Sequence, residues 1–341
     1  MMPSTRLAAV LVVVALAAGP AAAAEHVSML MDYVWQSSQA GFTLAADRGY
    51  YAAEGLDVTI DHGAGSADTI AKLATGTYDI GFADVNLLVK FNADNPNTRV
   101  KAFFMAYDAS LASIVTLART GIKTPKDLEG RSIAAPEVDN VRVLFPAFAR
   151  LAGFDAGKVR WESVQGSLRE AMLAQGRADA TASFSTTAFL ALTGMGIPAS
   201  DIVTMRYVDY GLDLYGSALM ASEKTITERP KLVAAVARAV THGMKDALAH
   251  PEDAVASIHK RDPLLKDDIE LQRFKLVAQQ SMVTDSVRRL GLGAAEPERL
   301  KRTIGFVAEA FKVANPPGPD GIYTDKFLPP KEARQVDYSP R

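Results

Sequence analysis

The residues best suited to hold a small molecule fall in short loops that follow apolar runs. Asp32-Tyr33-Val34-Trp35-Gln36-Ser37-Ser38-Gln39 combines two aromatics with several neutral hydrogen-bonding groups. An aromatic side chain on such a loop can stack on a planar ligand while Asp32, Gln36 and Gln39 read its edge; alternatively, Trp35 plugs the loop against the core. Gly63-Ala64-Gly65-Ser66 leads into a helix through small residues. Either a ligand oxygen sits on the free amides of that helix end, near Gly65 and Ser66, or Ser66 is simply its N-cap. No Lys-Ser or Lys-Thr follows the glycines, so this is not a phosphate loop. Asp84, at the end of a later apolar run, can cap the next helix or meet an amino group. Tyr107, Glu137, Asn140, Phe184, Ser185, Tyr207, Asp209 and Tyr210 all lie in comparable strand-to-helix or strand-to-loop positions. Each alone suits a structural role as well as a ligand contact, with Asp139 or Asn140 serving as a helix cap.

Taken as a set, these positions are rich in aromatics and carboxylates and poor in bases. That favours a planar ligand carrying amino or ring N–H groups, such as an aminopyrimidine-like heterocycle, over a sulfonate. Arg142, one turn into its helix, is the exception that could reach an anion. Catalytic patterns are missing. The five histidines form no pair at metal-ligand spacing, no Gly-x-Ser-x-Gly elbow occurs, and there is no cysteine. The expectation is a binding protein with no cofactor and no metal, not an enzyme.

The elements that must position these loops alternate. Val27–Met31, Leu56–Ile60, Tyr78–Ala83 and Arg99–Tyr107 read as strands, separated by helical patterns over Ala40–Ala53, Gly63–Thr75 and Asp84–Asn92. Ser113–Ala118 follows as a further strand, and the alternation then restarts: Arg131–Ala135, Val159–Ser163, Ala180–Phe184 and Ile202–Tyr207 as strands, Asn140–Ala152 and Ser167–Gln175 as helices. From Glu228 the chain is mostly helical, with Pro230 and Pro251 at helix starts, and these helices are expected on the first lobe. The pattern predicts an α/β protein of two lobes, each a mixed, mostly parallel sheet flanked by helices, with ligand loops at the carboxyl ends of strands. The lobes are expected at 25–112 and 113–213, with a return to the first lobe over 214–341. Two crossings, near Leu111–Ala118 and Leu212–Ala221, would flank a cleft and can hinge.

The amino terminus reads as a secretory leader: Arg6, an apolar run from Leu7 to Ala18, then small residues, with cleavage near Ala24. That run is shorter than the roughly 20 residues that span a bilayer. Without cysteine there is no lipid-anchored amino terminus, so a freely soluble periplasmic protein is expected. Lys and Arg number 37 against 39 Asp and Glu, which gives no overall field for nucleic acid or anionic lipid.

Four ordered segments carry a more specific signal: Arg48-Gly49-Tyr50-Tyr51-Ala52-Ala53-Glu54-Gly55-Leu56-Asp57-Val58, Gly63-Ala64-Gly65-Ser66, Leu73-Ala74-Thr75-Gly76-Thr77-Tyr78-Asp79-Ile80-Gly81 and Ile122 through Arg131. They resemble the periplasmic solute-binding proteins of ABC importers that take thiamine pyrimidine precursors, taurine, sulfonates or nitrate. A later match, Ala174-Gln175-Gly176-Arg177-Ala178-Asp179-Ala180, falls where a second lobe would repeat the Gly76–Gly81 motif. The resemblance covers about Val27 to Leu248 and implies a type II periplasmic binding fold. It also implies a small-molecule ligand, a permease and ATPase as partners, and a monomer. The carboxylates in the candidate loops set the chain apart from the sulfonate and nitrate branches, although a sulfonate, taurine, nitrate or aromatic carboxylate is the alternative ligand. The pyrimidine-synthase relatives depend on a cysteine cluster that this chain lacks. A hydrolase or a ligand sensor on the same fold is the alternative of another class.

Overall fold

The structure, a computed structural model, describes residues 24–137 and 139–338. The leader expected ahead of Ala24 lies outside the described residues. Among those described, no helix is long and apolar enough to cross a membrane.

The first lobe is built from β1 (Glu25–Leu30), α1 (Ala40–Asp47), α2 (Tyr50–Ala53), β2 (Leu56–Asp61), α3 (Ser66–Ala74), β3 (Ile80–Asp84), α4 (Leu87–Asp94) and β4 (Val100–Met105). The second contains β5 (Ala112–Leu117), β6 (Ser132–Ala135), α5 (Asn140–Ala152), β7 (Arg160–Ser163), α6 (Arg169–Ala174), β8 (Ala180–Phe184), α7 (Ser185–Gly194) and β9 (Ile202–Arg206). The chain then returns through β10 (Ser217–Ser222) to α8 (Glu223–Glu228), α9 (Pro230–Ala249), α10 (Pro251–His259), α11 (Asp267–Val277), α12 (Asp285–Leu290) and α13 (Pro297–Ala310).

The two sheets share one plan. Their orders are β2-β1-β3-β10-β4 and β7-β6-β8-β5-β9. In each, three parallel strands are followed by one antiparallel strand, β10 or β5, that arrives from the other half of the chain. The repeat extends to side chains. Asp79 accepts from the amide and hydroxyl of Ser28 at 2.9 and 3.0 Å, and Asp179 does the same for Ser132 at 2.8 and 2.9 Å. Both aspartates stand just before a strand and tie it to its parallel neighbour, so the two related sequence motifs have one structural job.

Three expectations are corrected. The helix expected over Ala40–Ala53 is broken at Gly49, whose φ of 72° is readily available to glycine. The crossings begin ahead of the segments expected for them: Ser113–Ala118 is strand β5, as its pattern also indicated, and Leu212–Ala221 runs into strand β10. The connections that pass between the sheets are residues 106–111 and 211–216, because each exchanged strand inserts fully into the sheet it enters. The carboxyl-terminal helices do not stay on the first lobe: α9 and α10 pack on α1, whereas α11 reaches α7 and α13 reaches both α4 and α5.

Packing fixes the first candidate loop from behind. A Cβ on Gly243 of α9 would meet the Gly41 carbonyl at 2.2 Å, so the absence of side chains lets α9 lie directly against the start of α1. α9 also buries Leu232, Val233, Val236, Val240, Met244 and Leu248, each worth about 1.5–3 kcal/mol of apolar burial. The loop that precedes α1 therefore rests on a rigid base. One apolar cluster includes Val100 and Met105 of the first lobe with Ile114, Ile133 and Phe148 of the second, so the lobes are joined by continuous packing.

Candidate functional site

The carboxyl ends of β1 and β3 place Asp32 and Asp84 side by side in the first lobe. Gly63 makes this possible: a Cβ there would lie 2.2 Å from the Met31 carbonyl, so the loop after β2 runs directly against the chain entering Asp32. Ser66, the first residue of α3, then joins the two acids. Its hydroxyl donates to Asp32 Oδ2 at 3.3 Å and accepts from the Asp84 amide at 3.0 Å. Gly65 ahead of it has φ 143°, a conformation that side-chain-bearing residues rarely adopt.

Asp84 does not cap α4, which starts at Leu87 after Asn86 without a side-chain cap; its carboxylate is held by amides instead. Its Oδ1 accepts from the Asn86 amide and side chain at 2.9 and 2.7 Å, while Oδ2 accepts from Asn140 Nδ2, on the first turn of α5 in the second lobe. Burial pushes the Asp32 carboxyl up to about 7, against the opposing hydrogen bonds from Gln39 and Ser66. Burial likewise raises Asp84 to about 6, despite its hydrogen bonds from Asn86 and Asn140. Desolvation disfavours the charged form in each case.

Three amides beside these acids have fixed orientations. Gln39 Nε2 donates to Asp32 Oδ1 and the Tyr33 carbonyl, each at 3.4 Å. Asn86 Nδ2 donates to Asp84 and to the Tyr215 carbonyl at 2.8 Å. Since carbonyl and carboxylate oxygens accept, the nitrogen of each amide is assigned by its partners. Gln39 Oε1, Asn86 Oδ1 and Asn140 Oδ1 are left buried with no hydrogen-bond partner. An unsatisfied buried acceptor costs about 1–3 kcal/mol, so donors brought by a ligand would be rewarded here.

The remaining candidates divide. Tyr33 is 40% exposed on the same loop, and Trp35 is half-buried, with its ring edge-on to His62 at 6.0 Å between centroids. Gln36 is half-buried, and its carbonyl accepts from the Gln39 amide at 2.9 Å. Tyr107 is buried, its hydroxyl donating to the Ser38 carbonyl at 2.9 Å, which holds the loop from below. Phe184 packs against apolar clusters of both lobes, and Ser185 donates to Gln280 Oε1 at 3.0 Å. Glu137 is exposed.

Tyr207, Asp209 and Tyr210 stand apart from this group. Tyr207 stacks on Phe148 at 4.3 Å and donates to the Val141 carbonyl at 2.9 Å, so ring and hydroxyl are both used inside the second lobe. Tyr210 packs edge-on to Phe148, and Asp209 is exposed and paired with Arg206. Arg142 lies over the Trp161 ring at 4.7 Å and donates to Ser163 at 3.0 Å.

Sequence reasoning missed two half-buried cations beside these loops. Arg169 of α6 pairs with Asp139 at 3.0 Å and with Glu170 at 2.9 Å, and Glu170 accepts from Ser183 at 2.8 Å. Burial acts to lower its pKa, but Glu170 and Asp139 raise it overall, with a smaller contribution from Tyr33 across the cleft. Arg273 of α11 pairs with Glu270 at 3.0 Å, and Glu270 in turn accepts from the Ser37 amide at 2.7 Å. Both arginines are accompanied by carboxylates, although Arg273 Nη1 is left buried with no hydrogen-bond partner. Among the described residues, no group of three His, Asp or Glu side chains is placed to hold a metal.

The family model described as NMT1/THI5 like matches residues 36–254, well over half of the chain. The chain belongs to the NMT1/THI5-like family. Within the range of that match lie α1, both sheets apart from β1, the acids' partners Ser66 and Asn140, and the exchanged strands. Among similar proteins, the riboflavin-binding protein of Chloroflexus aurantiacus is 25% identical over 314 residues, covering 89% of this chain and 86% of that protein. The formylaminopyrimidine-binding protein of Halalkalibacterium halodurans is 25% identical over 236 residues, covering 68% and 69%. The fold is that of the periplasmic binding proteins: the aliphatic sulphonate binding protein of Escherichia coli superposes with a TM-score of 0.67 at 14% identity, covering 92% of this chain and 93% of that one.

Proposed function

We propose that the protein is the periplasmic solute-binding component of an ABC importer, taking up a neutral, planar heterocycle that carries N–H groups. The observation that carries this reading is the acceptor-rich cleft wall. Two desolvated carboxyls, Asp32 and Asp84, stand beside the unpartnered oxygens of Gln39, Asn86 and Asn140. Tyr33, Trp35 and Phe184 supply apolar ring surface around them. An anion would meet the carboxylates of Asp84, Asp139 and Glu170, while Arg169 and Arg273 are each already paired with a carboxylate, so Coulomb repulsion opposes a sulfonate or nitrate. Riboflavin and formylaminopyrimidine, named for two relatives, both carry ring or amino N–H groups.

Ligand enters between lobes 25–112 and 113–213, the lobes close about residues 106–111 and 211–216, and the closed form docks on a membrane permease with its ATPase. Closure is favoured only by the ligand's preference for the closed form. The protein acts as a monomer and returns its ligand chemically unchanged. Melting temperature followed against riboflavin, a formylaminopyrimidine, an alkanesulfonate and nitrate tests this, because a ligand of the native state raises it. A rise with a heterocycle alone supports the reading, and a rise with the alkanesulfonate alone overturns it.

A further inference from the structure

We propose that a groove beside the cleft is the subsite for a neutral, hydroxyl-bearing chain on the same ligand. This rests on the reading of the cleft as a heterocycle site. The groove encloses about 280 Å³ between α7 and β9 of the second lobe and α11 with the π-helical turn Ala278–Met282 that continues it. Ser185, Thr186 and Thr204 bring hydroxyls and Gln280 an amide, while Phe189 and Leu276 form apolar walls. Hydroxyls and amides both donate and accept, which matches a chain of hydroxyls better than a purely apolar or charged group.

Charge narrows the choice. Arg206 also borders the groove, but its Nε and Nη2 donate to Asp209 at 3.0 and 2.6 Å. The pair leaves no net positive charge for a phosphate. The groove's volume of about 280 Å³ has room for a short hydroxylated chain. By contrast, the apolar void behind Tyr107 and Phe42 has about 10 Å³ and admits at most a water.

Position links the groove to the cleft. Ser185 directly follows Phe184, which touches the apolar clusters of both lobes, and its amide donates to the Leu111 carbonyl at 2.8 Å on the first crossing. Across the groove, Ser185 donates to Gln280, so the walls belong to elements on either side of that crossing. A chain seated there touches both sides and favours the closed form.

Three probes sharing one ring system test this by equilibrium titration: lumiflavin without a hydroxylated chain, riboflavin with one, and flavin mononucleotide with the chain phosphorylated. The expected result is riboflavin binding roughly tenfold more tightly than lumiflavin, the effect of one or two hydrogen bonds, and more tightly than the mononucleotide. Thr204→Phe, at an exposed position on the edge strand β9, should bring the riboflavin-to-lumiflavin ratio close to one. Should that variant not fold, the wild-type ratios decide alone. Equal affinities for riboflavin and lumiflavin, tighter binding of the mononucleotide, or an undiminished ratio in the folded variant overturns the subsite and leaves the heterocycle reading standing. Binding of a formylaminopyrimidine but of no flavin does the same, whereas failure of every heterocycle removes both.

Discussion

Asn140 of the second lobe donates its side-chain amide to Asp84 of the first, 2.5 Å across the cleft. The bond ties the first turn of α5 to the end of β3 and leaves Asn140 Oδ1 buried and unpartnered. The bond between the lobes is therefore made by a residue whose other amide atom can accept from a ligand. Asn140→Ala should weaken ligand binding roughly tenfold, as expected for one charge-assisted hydrogen bond and its desolvated partner. Calorimetry on the purified variant measures this, and an unchanged affinity would show that the residue plays no part in closure or contact.

The pH dependence has a definite sign. Asp32 and Asp84 titrate higher in the folded protein than the usual carboxylate range, so between about pH 4 and 7 the folded state holds more protons than the unfolded one. Their contribution to stability is present at low pH and is lost as pH rises through about 6 and 7. Ligand N–H groups prefer the ionised carboxylates, so affinity should move the other way, increasing from pH 5 to pH 8 and flattening above about 7. Titrations across that range check it, and Asp32→Asn should flatten the curve. A ligand that binds more tightly at pH 5 would contradict the assigned contacts.

Arg299 of α13 holds both connections between the sheets. It donates to the Asp108 carboxylate at 2.9 Å and to Asp213 at 2.7 Å, and lies over the Tyr215 ring at 4.1 Å. Asp108 is buried, so Arg299→Met strands a charge and should cost about 3–5 kcal/mol of stability. Denaturant unfolding measures the loss; a change below about 1 kcal/mol would show that the pair contributes little.

The chain has two tryptophans, and only Trp35 lies on the candidate loop. Trp161 is packed against Phe145 and covered by Arg142. Ligand-induced change in tryptophan fluorescence should vanish in Trp35→Ala and survive in Trp161→Phe, with affinity for ligand falling at least severalfold in the former. The reverse pattern would move the site away from the loop after β1.

Much of this arrangement was legible from the sequence because it depends on local signals. Apolar runs ended by polar loops marked β1 and β3, and the repeated Gly-to-Asp motif marked where the second lobe repeats the first, although nothing in it showed that Asp79 and Asp179 tie Ser28 and Ser132 alike. Asp32, Ser66, Asp84 and Asn140 were all named, although nothing in the sequence showed that Ser66 joins the two acids or that Asn140 crosses the cleft. Arg169 and Arg273 were invisible for a physical reason: a charged residue in an amphipathic helix reads as part of the solvated face. Burial of Arg273 depends on Glu270, and that acid reaches a partner 233 residues away at Ser37. Tyr207 and Tyr210 misled in the opposite sense, since aromatics in a loop after a strand look like ligand contacts until Phe148 is found beside them. The places of β5 and β10 within their sheets were likewise unreadable, because the pattern of a strand does not say between which neighbours it inserts.

Recognition is proposed to rest on acceptors of the protein meeting N–H donors of the ligand in the cleft. Isothermal titration of riboflavin and a formylaminopyrimidine into wild-type protein and into Asp84→Asn, with an alkanesulfonate alongside, tests it most directly. At least one heterocycle should bind the wild type, the substitution should weaken this by tenfold or more, and the alkanesulfonate should give no heat. Binding of the alkanesulfonate, or a heterocycle affinity indifferent to Asp84→Asn, would contradict it.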